Sequence, residues 1–224
     1  MKLAIYGAGG IGEVILDRAK RINRIIARWN DIFFIDDTGK TEVSKTQVYP
    51  FEKIRQQYSA DELRFLVALG EPMDREIVAN RIETAGFRLD RLVCVDEEEL
   101  PKSAEIEEGA ILLDRTITIS PFAHIGKNAL IQGYTSIAHE TVIGNHSNIS
   151  PYCMICGNCK IGKSVFVGTH ASIKEKTCVG DYAIIGMGAV VMRDVPENHT
   201  VFMTPSKMIP HEPGTRALQG SYMN

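Results

Sequence analysis

Between Leu113 and Val191 every sixth residue is isoleucine, valine or leucine, without interruption. Apolar residues recur near every 3.6 positions in an α-helix and every second position in a half-buried strand, so a period of six indicates a repeat architecture. One hexad is only about 20 Å long at roughly 3.3 Å per residue, so hexads must stack to bury a core. The positions are Leu113, Ile119, Ile125, Ile131, Ile137, Ile143, Ile149, Ile155, Ile161, Val167, Ile173, Val179, Ile185 and Val191.

Two other positions of the hexad are also restricted, counting the branched residue as the first. The fifth residue is small in most hexads, and the second is often glycine, which suits a left-handed backbone conformation or a close approach at a tight corner. Each hexad is therefore predicted to be a short flat strand followed by a turn. The glycines are Gly126, Gly144, Gly162, Gly168, Gly180 and Gly186.

This pattern resembles the hexapeptide-repeat acyltransferases. The resemblance implies a left-handed parallel β-helix with three hexads per turn, between four and five turns in all, and residues eighteen apart stacked on one another. It also implies a homotrimer with active sites between subunits.

The N-terminal part has a different rhythm. A strand, Lys2 to Tyr6, is followed by Gly7-Ala-Gly9-Gly-Ile-Gly12 and by an amphipathic helix from Glu13 to Ile25. Further strands are predicted at Ile32–Ile35 and Phe65–Leu69, and a further helix at Met73–Thr84. The alternation predicts a small Rossmann-like parallel sheet of three or four strands.

The glycine loop and Asp36 match the dinucleotide fingerprint, in which a ligand pyrophosphate lies at a helix N-terminus. Because so small a sheet lacks the second half of a dinucleotide site, we expect a nucleotide-diphosphate ligand. One alternative is a glycine turn that only packs the helix on the strand. Another is a nicotinamide-dependent oxidoreductase fused to a structural β-helix, although no catalytic set for it is visible.

A length of 224 residues, 44% of them hydrophobic, fits two modules in one chain. We predict a nucleotide-sugar-binding domain over 1–100, a β-helix over 101–209 and an irregular tail over 210–224. Asp96 to Glu99 and Pro101 form the connection, and Val201 to Lys207 resembles the segment that closes such β-helices.

Charge and hydropathy exclude several classes of function. The net charge of −3 and the lack of a basic run argue against a nucleic-acid partner. No apolar stretch reaches eighteen residues and Met1 leads directly into a strand, so neither membrane insertion nor a signal peptide is expected. We predict a cytoplasmic protein.

Five cysteines occur, and Cys153, Cys156 and Cys159 are close enough to suggest a metal cluster. They fall on the fifth, second and fifth positions of the hexads, which the repeat already explains. A zinc hydratase on the same β-helix is also disfavoured, since His139, His146 and His170 would lie on three different faces. No metal site is predicted.

The order of the two modules resembles one subfamily more closely, the sialic-acid O-acetyltransferase and bacillosamine N-acetyltransferase group. Its most specific motif is Ile137-Ala-His139-Glu140-Thr-Val-Ile-Gly144. The resemblance implies transfer from acetyl-CoA, without a metal, to a nucleotide-activated 4-amino-4,6-dideoxy sugar for bacterial surface glycans. A sugar O-acetyltransferase of the sialic-acid type is the alternative, and a non-enzymatic scaffold is a third class.

Chemistry gives His139 a specific role. Acetyl transfer to a sugar amine needs a base near neutral pH, and imidazole meets that requirement. Glu140 could orient the ring if both lie at a corner, because neighbouring strand residues face opposite ways. Gly157, eighteen residues on, could donate its N–H to the oxyanion.

The remaining predicted site residues come from the same resemblance. At two of these positions, Asn148 and Ile11, bacillosamine-type members have a histidine instead. Those predicted for acetyl-CoA are Asn148, Gly157, Thr169, Gly186, Met187 and Gly188, and those for the nucleotide sugar are Gly9, Gly10, Ile11, Asp36, Asp37 and Gly70. The sequence leaves the sugar and the nucleotide open.

Overall fold

The computed structural model describes residues 1–96 and 98–203, and its first ninety residues alternate between strands and helices. In chain order these are β1 (Lys2–Tyr6), α1 (Gly10–Ile26), β2 (Asp31–Ile35), β3 (Glu42–Val43), β4 (Thr46–Tyr49), α2 (Phe51–Gln57), β5 (Leu63–Val67), α3 (Pro72–Thr84) and β6 (Arg88–Leu89). They form one sheet in the order β3-β4-β2-β1-β5-β6, parallel except for the antiparallel pair β3–β4. The sheet is larger than predicted, because its outer strands are too short to show an apolar pattern.

Helices cover both faces of this sheet. Ile15 and Ala19 of α1 are fully buried in a cluster on one face, and Ala79 and Ile82 of α3 are fully buried on the other. Successive residues of β1 contribute to opposite clusters, as expected for a central strand covered on both sides. The Rossmann-like α/β domain predicted from the sequence is confirmed.

The second domain is built from strands of two residues each. They are β7 (Leu92–Val93), β8 (Glu105–Ile106), β9 (Ile111–Leu112), β10 (Thr118–Ile119), β11 (His124–Ile125), β12 (Leu130–Ile131), β13 (Ser136–Ile137), β14 (Val142–Ile143), β15 (Asn148–Ile149), β16 (Met154–Ile155), β17 (Lys160–Ile161), β18 (Phe166–Val167), β19 (Ser172–Ile173), β20 (Cys178–Val179), β21 (Ile184–Ile185), β22 (Val190–Val191) and β23 (Thr200–Val201).

These strands stack into three parallel sheets that form the sides of a prism. The first sheet contains β8, β11, β14, β17 and β20. The second contains β7, β9, β12, β15, β18, β21 and β23, and the third contains β10, β13, β16, β19 and β22. Ile119 pairs with Ile137, and Ile137 pairs with Ile155. The register of eighteen residues confirms three hexads per turn, with the branched residues stacked inside.

The corners between the sheets explain the other restricted positions. The fourth residue of each hexad is left-handed, with φ between 51° and 63° at every such position from Phe122 to Tyr182. The glycines at the second position are not left-handed. A Cβ at Gly144 would lie 2.3 Å from the Gly162 carbonyl oxygen in the next coil. The second-position glycines are therefore explained by the close approach of the next coil and not by a left-handed backbone.

The chain passes in turn from the first sheet to the second, the third and the first again, which gives three columns of corners. We name each column by the sheets it joins. In the described chain, the fourth positions of the first–second corner include Asn128, His146, Ser164 and Tyr182. Those of the second–third corner include Tyr134, Tyr152, His170 and Gly188, and those of the third–first corner include Phe122, Glu140, Asn158 and Lys176.

A fully buried arginine joins the two domains. The Arg75 guanidinium of α3 donates to the carbonyl oxygens of Val67 (2.6 Å) and Leu69 (3.0 Å) in its own domain and to that of Asn128 (2.6 Å) in the β-helix. Nearby, the Asn148 side-chain amide donates to the Gly70 carbonyl oxygen at 2.6 Å. These bonds fix the α/β domain against the second sheet.

The domain limits predicted from the sequence concern segments that the structure describes only in part. β7 precedes residue 100 but pairs with β9, so the second sheet begins before that point. From residue 204 onward, the predicted closing segment Val201–Lys207, the last predicted β-helix residues and the tail 210–224 lie outside the described residues. Within the described part of the chain, every helix is too short or too polar to cross a membrane.

Candidate active site

His139 and Glu140 form a pair on the third–first corner, directly after β13. His139 Nδ1 and Glu140 Oε2 are 3.1 Å apart, and more than half of each side chain is exposed, 59% and 57% respectively. The two neighbours can meet because Glu140 has a left-handed backbone, with φ 56°. The two residues therefore lie at the corner that their pairing requires. Because Nδ1 faces Glu140, Nε2 is the ring nitrogen that remains available to a substrate.

The next coil positions this pair. A Cβ atom at Gly157 would lie 2.7 Å from His139 Nε2, so the imidazole lies against a residue without a side chain. Asn158 donates its backbone N–H to the His139 carbonyl oxygen (2.9 Å) and its side-chain amide to Glu140 Oε2 (3.3 Å). Sequence reasoning missed Asn158, although its spacing of eighteen residues from Glu140 could have indicated it.

The glycine loop between β1 and α1 contains two glycines that the fold requires and two that it does not. A Cβ at Gly7 would lie 2.7 Å from the Ala68 carbonyl oxygen, and one at Gly12 would lie 2.0 Å from the Gly7 carbonyl oxygen. In contrast, a Cβ at Gly9 or Gly10 would meet no atom within 4 Å. The open space above Gly9 and Gly10, at the N-terminus of α1, suits a ligand that approaches the backbone closely.

Asp36 and Asp37 follow β2, but they point into different environments. Asp36 accepts the Ala8 N–H at 3.0 Å. Burial alone would raise the pKa of Asp36, but hydrogen bonds from Thr38 and Ala8 outweigh it and hold the pKa below its usual range. Asp37 accepts bonds from the Tyr6 hydroxyl, the Arg81 guanidinium and the Phe51 N–H. Its carboxylate is thus engaged within the domain.

Asn148 lies at the domain junction, away from the other predicted acetyl-CoA residues. It is 2% exposed, it donates to Gly70, and its Oδ1 accepts the Gln132 side-chain amide at 3.0 Å. A Cβ at Gly70 would lie 3.1 Å from Ile11 Cδ1. The structure therefore groups Asn148 with two residues predicted for the sugar nucleotide. Arg75 was missed because its partner Asn128 lies in the other domain, and Gln132 was missed because its bond to Asn148 depends on the side chains of two stacked coils.

The remaining predicted acetyl-CoA residues form another group, on the second–third corner. The Gly188 N–H donates to the Thr169 carbonyl oxygen at 2.8 Å, which stacks the two coils. Met187 is 74% exposed, and Gly186 starts the same turn. One chain therefore brings His139, Glu140 and Gly157 together on one corner, with Thr169 and Gly186 to Gly188 on another.

A cavity of about 350 Å³ opens between α1 and the second–third corner. Its walls include Gly10, Ile11 and Val14 from the α/β domain and Tyr134 and Tyr152 from the β-helix. The cavity thus connects the open end of the glycine loop with the second–third corner. Residues of the His139 corner do not line it.

The other histidines and the cysteines have structural environments. His124 lies between Glu105 (3.1 Å) and Glu107 (2.7 Å) on the first sheet, and His170 stacks on a tyrosine. His146 is buried at the first–second corner, because α3 covers it. Burial lowers its pKa. His139, His146 and His170 lie on three different corners, as predicted.

Two of the clustered cysteines contribute to the interior of the β-helix. The Cys153 and Cys159 thiols are buried and donate to carbonyl oxygens of the next coil, at 3.2 Å for Gly168 and 3.0 Å for Lys174. Burial raises the pKa of Cys153 to about 11. Among the described residues, no group of three or more histidine, cysteine, aspartate or glutamate side chains could hold a metal ion.

Two family models match the chain, one in each domain. The model of the PglD N-terminal domain matches residues 2–82. The model of the bacterial transferase hexapeptide, six repeats, matches residues 122–157, which include His139 and Gly157.

Curated relatives match about half of the chain. One is the acyl-[acyl-carrier-protein]–UDP-N-acetylglucosamine O-acyltransferase of Pseudomonas entomophila (strain L48), which is 30% identical over 117 residues. The match covers 52% of this chain and 43% of that protein. The chain therefore spans less than half the length of the curated relatives it matches.

Solved structures match nearly the whole chain. The acetyltransferase domain of PglB from Neisseria gonorrhoeae FA1090, in complex with acetyl coenzyme A, has a TM-score of 0.80 at 25% identity and covers 93% of this chain and 98% of its own. PerB from Caulobacter crescentus, in complex with CoA and GDP-perosamine, has a TM-score of 0.81 at 21% identity and covers 94% and 98%. The likeness to PerB shows the shared fold.

These matches confirm the predicted fold class, an α/β domain followed by a left-handed parallel β-helix. They also confirm the group that the sequence motifs indicated. The chain therefore combines a PglD N-terminal domain with bacterial transferase hexapeptide repeats.

Proposed function

We propose that this protein is an acetyl-CoA-dependent N-acetyltransferase that acts on a nucleotide-linked 4-amino-4,6-dideoxy sugar. The observation that carries the proposal is the exposed His139–Glu140 pair, whose imidazole lies against Gly157. The acetyl coenzyme A complex of PglB and the CoA and GDP-perosamine complex of PerB support this choice of donor and acceptor. Surface-glycan synthesis in the cytoplasm is the expected setting.

His139 is the base in the proposed mechanism. With its Nδ1 N–H directed to Glu140, His139 takes a proton from the sugar amine at Nε2 as the nitrogen attacks the thioester carbonyl carbon. Glu140 stabilises the imidazolium, and the Gly157 N–H donates to the oxyanion. When the C–S bond breaks, the imidazolium returns its proton to the departing thiolate of CoA, and an amide remains on the sugar.

The acceptor is proposed to bind at the glycine loop. Gly9 and Gly10 leave the backbone N–H groups at the start of α1 open to a diphosphate, as described above. Asp36, at the end of the adjacent strand, is placed for a ribose hydroxyl, and Ile11 borders the cavity that the sugar would enter. Asp37 and Gly70 are proposed to contribute through the fold, because Asp37 forms an ion pair with Arg81 and the Gly70 carbonyl oxygen accepts the Asn148 amide.

The active site is proposed to form between subunits of a homotrimer. The acceptor cavity lies at the second–third corner and His139 at the third–first corner, with the third sheet between them. The outward residues of this sheet are all uncharged, as expected of a packed surface: Thr118, Ser136, Met154, Ser172 and Val190.

A threefold axis parallel to the prism would preserve the height of each residue. His139 follows Tyr134 and precedes Tyr152 along the coil, so His139 of the partner subunit would lie within about 5 Å in height of the cavity walls. Thr169, Gly186, Met187 and Gly188, one or two coils higher, are proposed to hold acetyl-CoA. Asn148, which lies at the domain junction, is not included in this proposed acetyl-CoA site.

Thiol release from acetyl-CoA tests the function. We would assay a panel of UDP-, dTDP- and GDP-linked 4-amino-4,6-dideoxy sugars with the native protein, His139→Ala and the control His124→Ala, which alters another histidine–glutamate group. Turnover on an amino sugar that falls about 10²- to 10⁴-fold in His139→Ala and is kept in His124→Ala supports the proposal. Full activity of His139→Ala, or no turnover on any sugar, contradicts it.

One observation favours an O-acetyltransferase as the second candidate, since the curated relatives transfer acyl groups to oxygen. The same panel should therefore include 4-hydroxy sugars. Hydroxylamine treatment separates the outcomes, because it cleaves an ester product and leaves an amide intact.

A further inference from the structure

Three aromatic rings form a continuous stack on the second–third corner. The rings of Tyr134 and Tyr152 are parallel within 1°, with centroids 4.7 Å apart, and His170 continues the stack at 4.8 Å from Tyr152. We call Tyr134, Tyr152 and His170 the aromatic ladder. Its spacing is that of neighbouring strands, so the rungs follow directly from the stacking of the coils.

The ladder is distinctive because of its composition and exposure. Every fourth position of the repeat has a left-handed backbone, but the other corners place asparagine, serine, glutamate or lysine among their aromatic or histidine residues. In the ladder, Tyr134 is 59% exposed and Tyr152 is 48% exposed. Large aromatic surface held in register outside the core indicates a binding surface rather than packing.

The ladder borders the cavity that begins at the glycine loop. Tyr134 and Tyr152 form one wall, and Gly10, Ile11 and Val14 form the opposite side. A diphosphate at Gly9 and Gly10 would place the sugar attached to it one bond further on, within this cavity. The wall it meets there is aromatic, and the opposite wall is aliphatic. Arg18, Asp114 and Gln132 also line the cavity, but Arg18 bonds to Asp114 and Gln132 bonds to Asn148.

We propose that Tyr134 and Tyr152 form the platform on which the sugar ring of the acceptor lies, and that they select for 6-deoxy sugars. This inference rests on the proposed function. The C–H groups on one face of a pyranose pack well on an aromatic ring, and a methyl group at C5 extends that apolar face. A 6-hydroxyl group in the same place would lose its water against aromatic and aliphatic walls.

The upper end of the ladder supports this arrangement. The column continues from His170 to Gly188, where no ring is present, and Gly188 contacts the Thr169 backbone. The residues proposed for acetyl-CoA thus begin where the aromatic surface ends. Acceptor and donor would meet at this boundary without competing for the same surface.

Titration calorimetry on the full-length protein tests the platform. The titrants are the best nucleotide-linked 4-amino-4,6-dideoxy sugar of the panel, its 6-hydroxy counterpart, the free nucleoside diphosphate and acetyl-CoA. The variants are Tyr152→Leu, Tyr152→Phe and the control Tyr182→Leu, a tyrosine at the same hexad position and backbone conformation (φ 58°) on another corner. Size-exclusion chromatography with light scattering monitors the oligomeric mass.

We expect Tyr152→Leu to weaken binding of the 6-deoxy sugar roughly threefold to tenfold and to reduce its preference over the 6-hydroxy sugar. Affinity for the free diphosphate and for acetyl-CoA should not change, and Tyr152→Phe and Tyr182→Leu should bind as the native protein does. An unchanged sugar affinity in Tyr152→Leu, a loss confined to acetyl-CoA, or a reduced oligomeric mass would overturn the platform.

Failure of the proposed function has a different signature. If no sugar is acetylated but a panel sugar binds, the calorimetric comparison still tests the ladder, and sensitivity to Tyr152→Leu supports it. If no panel sugar binds at all, both the platform and the acceptor assignment are wrong.

Discussion

The third–first and first–second corners of the β-helix share one backbone geometry but have different surroundings. At the third–first corner, His139 and Glu140 are more than half exposed. At the first–second corner, His146 is 6% exposed, and its Nδ1 lies 3.0 Å from the Asn128 side-chain amide. The difference arises because α3 covers only the first–second corner. A repeat fixes where a corner residue lies, whereas its neighbours decide whether it is available for chemistry.

The buried corner also shows how a polar network can be fully specified. Arg75 donates to Asn128 Oδ1 at 2.9 Å, and Asn128 Nδ2 donates to the Arg75 carbonyl oxygen at 3.1 Å. This fixes the orientation of the Asn128 amide, which then presents an N–H to His146. The neutral His146 tautomer with its proton on Nε2 follows from the network.

Breaking the buried corner should have the largest effect on stability. Arg75→Met removes the donors for the carbonyl oxygens of Val67, Leu69 and Asn128 and leaves these oxygens without partners. We expect a loss of roughly 3–5 kcal/mol in the free energy of unfolding, measured with urea. Arg18→Met is the control, because the Arg18–Asp114 pair also joins the domains but is partly exposed. An equal loss in the two variants would contradict the importance of burial.

Disturbing the exposed corner should instead affect catalysis. Gly157→Ala places a methyl group about where the His139 ring lies, so the imidazole must move. We expect kcat to fall roughly 10- to 100-fold with little change in unfolding. Glu175→Ala, one coil above in the same column, should keep full activity. A Gly157→Ala variant with native kcat would show that the ring position is not critical.

Removing the charge next to the base should have a smaller effect. Glu140→Gln keeps a hydrogen-bond acceptor near His139 Nδ1 but cannot stabilise an imidazolium by charge. Because the pair is exposed, we expect kcat to fall only about fivefold to tenfold, with KM for both substrates unchanged. A KM effect without a kcat effect would assign Glu140 to binding.

The smallest expected effect is a pH dependence at the buried corner. Burial lowers the pKa of His146, so the unfolded chain takes up its proton at a higher pH than the folded protein does. Stability from the neutral histidine is therefore present above about pH 6.5 and is lost as the pH falls below that value. Protonation would also break the bond from Asn128, while Glu76 partly offsets the added charge.

Unfolding by urea at pH 7.5 and 5.5 checks this prediction. The native protein should lose more stability between the two pH values than His146→Gln does. The His139→Gln variant, altered at the exposed corner, should follow the native protein. Equal pH dependence of the native protein and His146→Gln would contradict the prediction.

The sequence predicted the β-helix well because its contacts recur at one spacing. Ile137 stacks on Ile155 whatever the rest of the chain does, and the pairing of His139 with Glu140 needed only a corner. The α/β domain was less predictable, because β3, β6 and α2 are too short to show an apolar pattern of their own. Arg75 reaches Asn128 only when the domains dock, and α3 then buries His146, which no local pattern records.

The register of eighteen residues also limits how such a protein can change during evolution. Each coil adds about 4.8 Å of height. An insertion that is not a multiple of six would move branched residues out of the interior, and one of six or twelve residues would move every later hexad to another sheet. The distance between the docked α/β domain and a higher coil can therefore change only in whole coils without disturbing the sheets. Substrates of different length would therefore be accommodated by gaining or losing entire coils between Asn148 and Gly186, while smaller adjustments fall to side chains such as those at the corners.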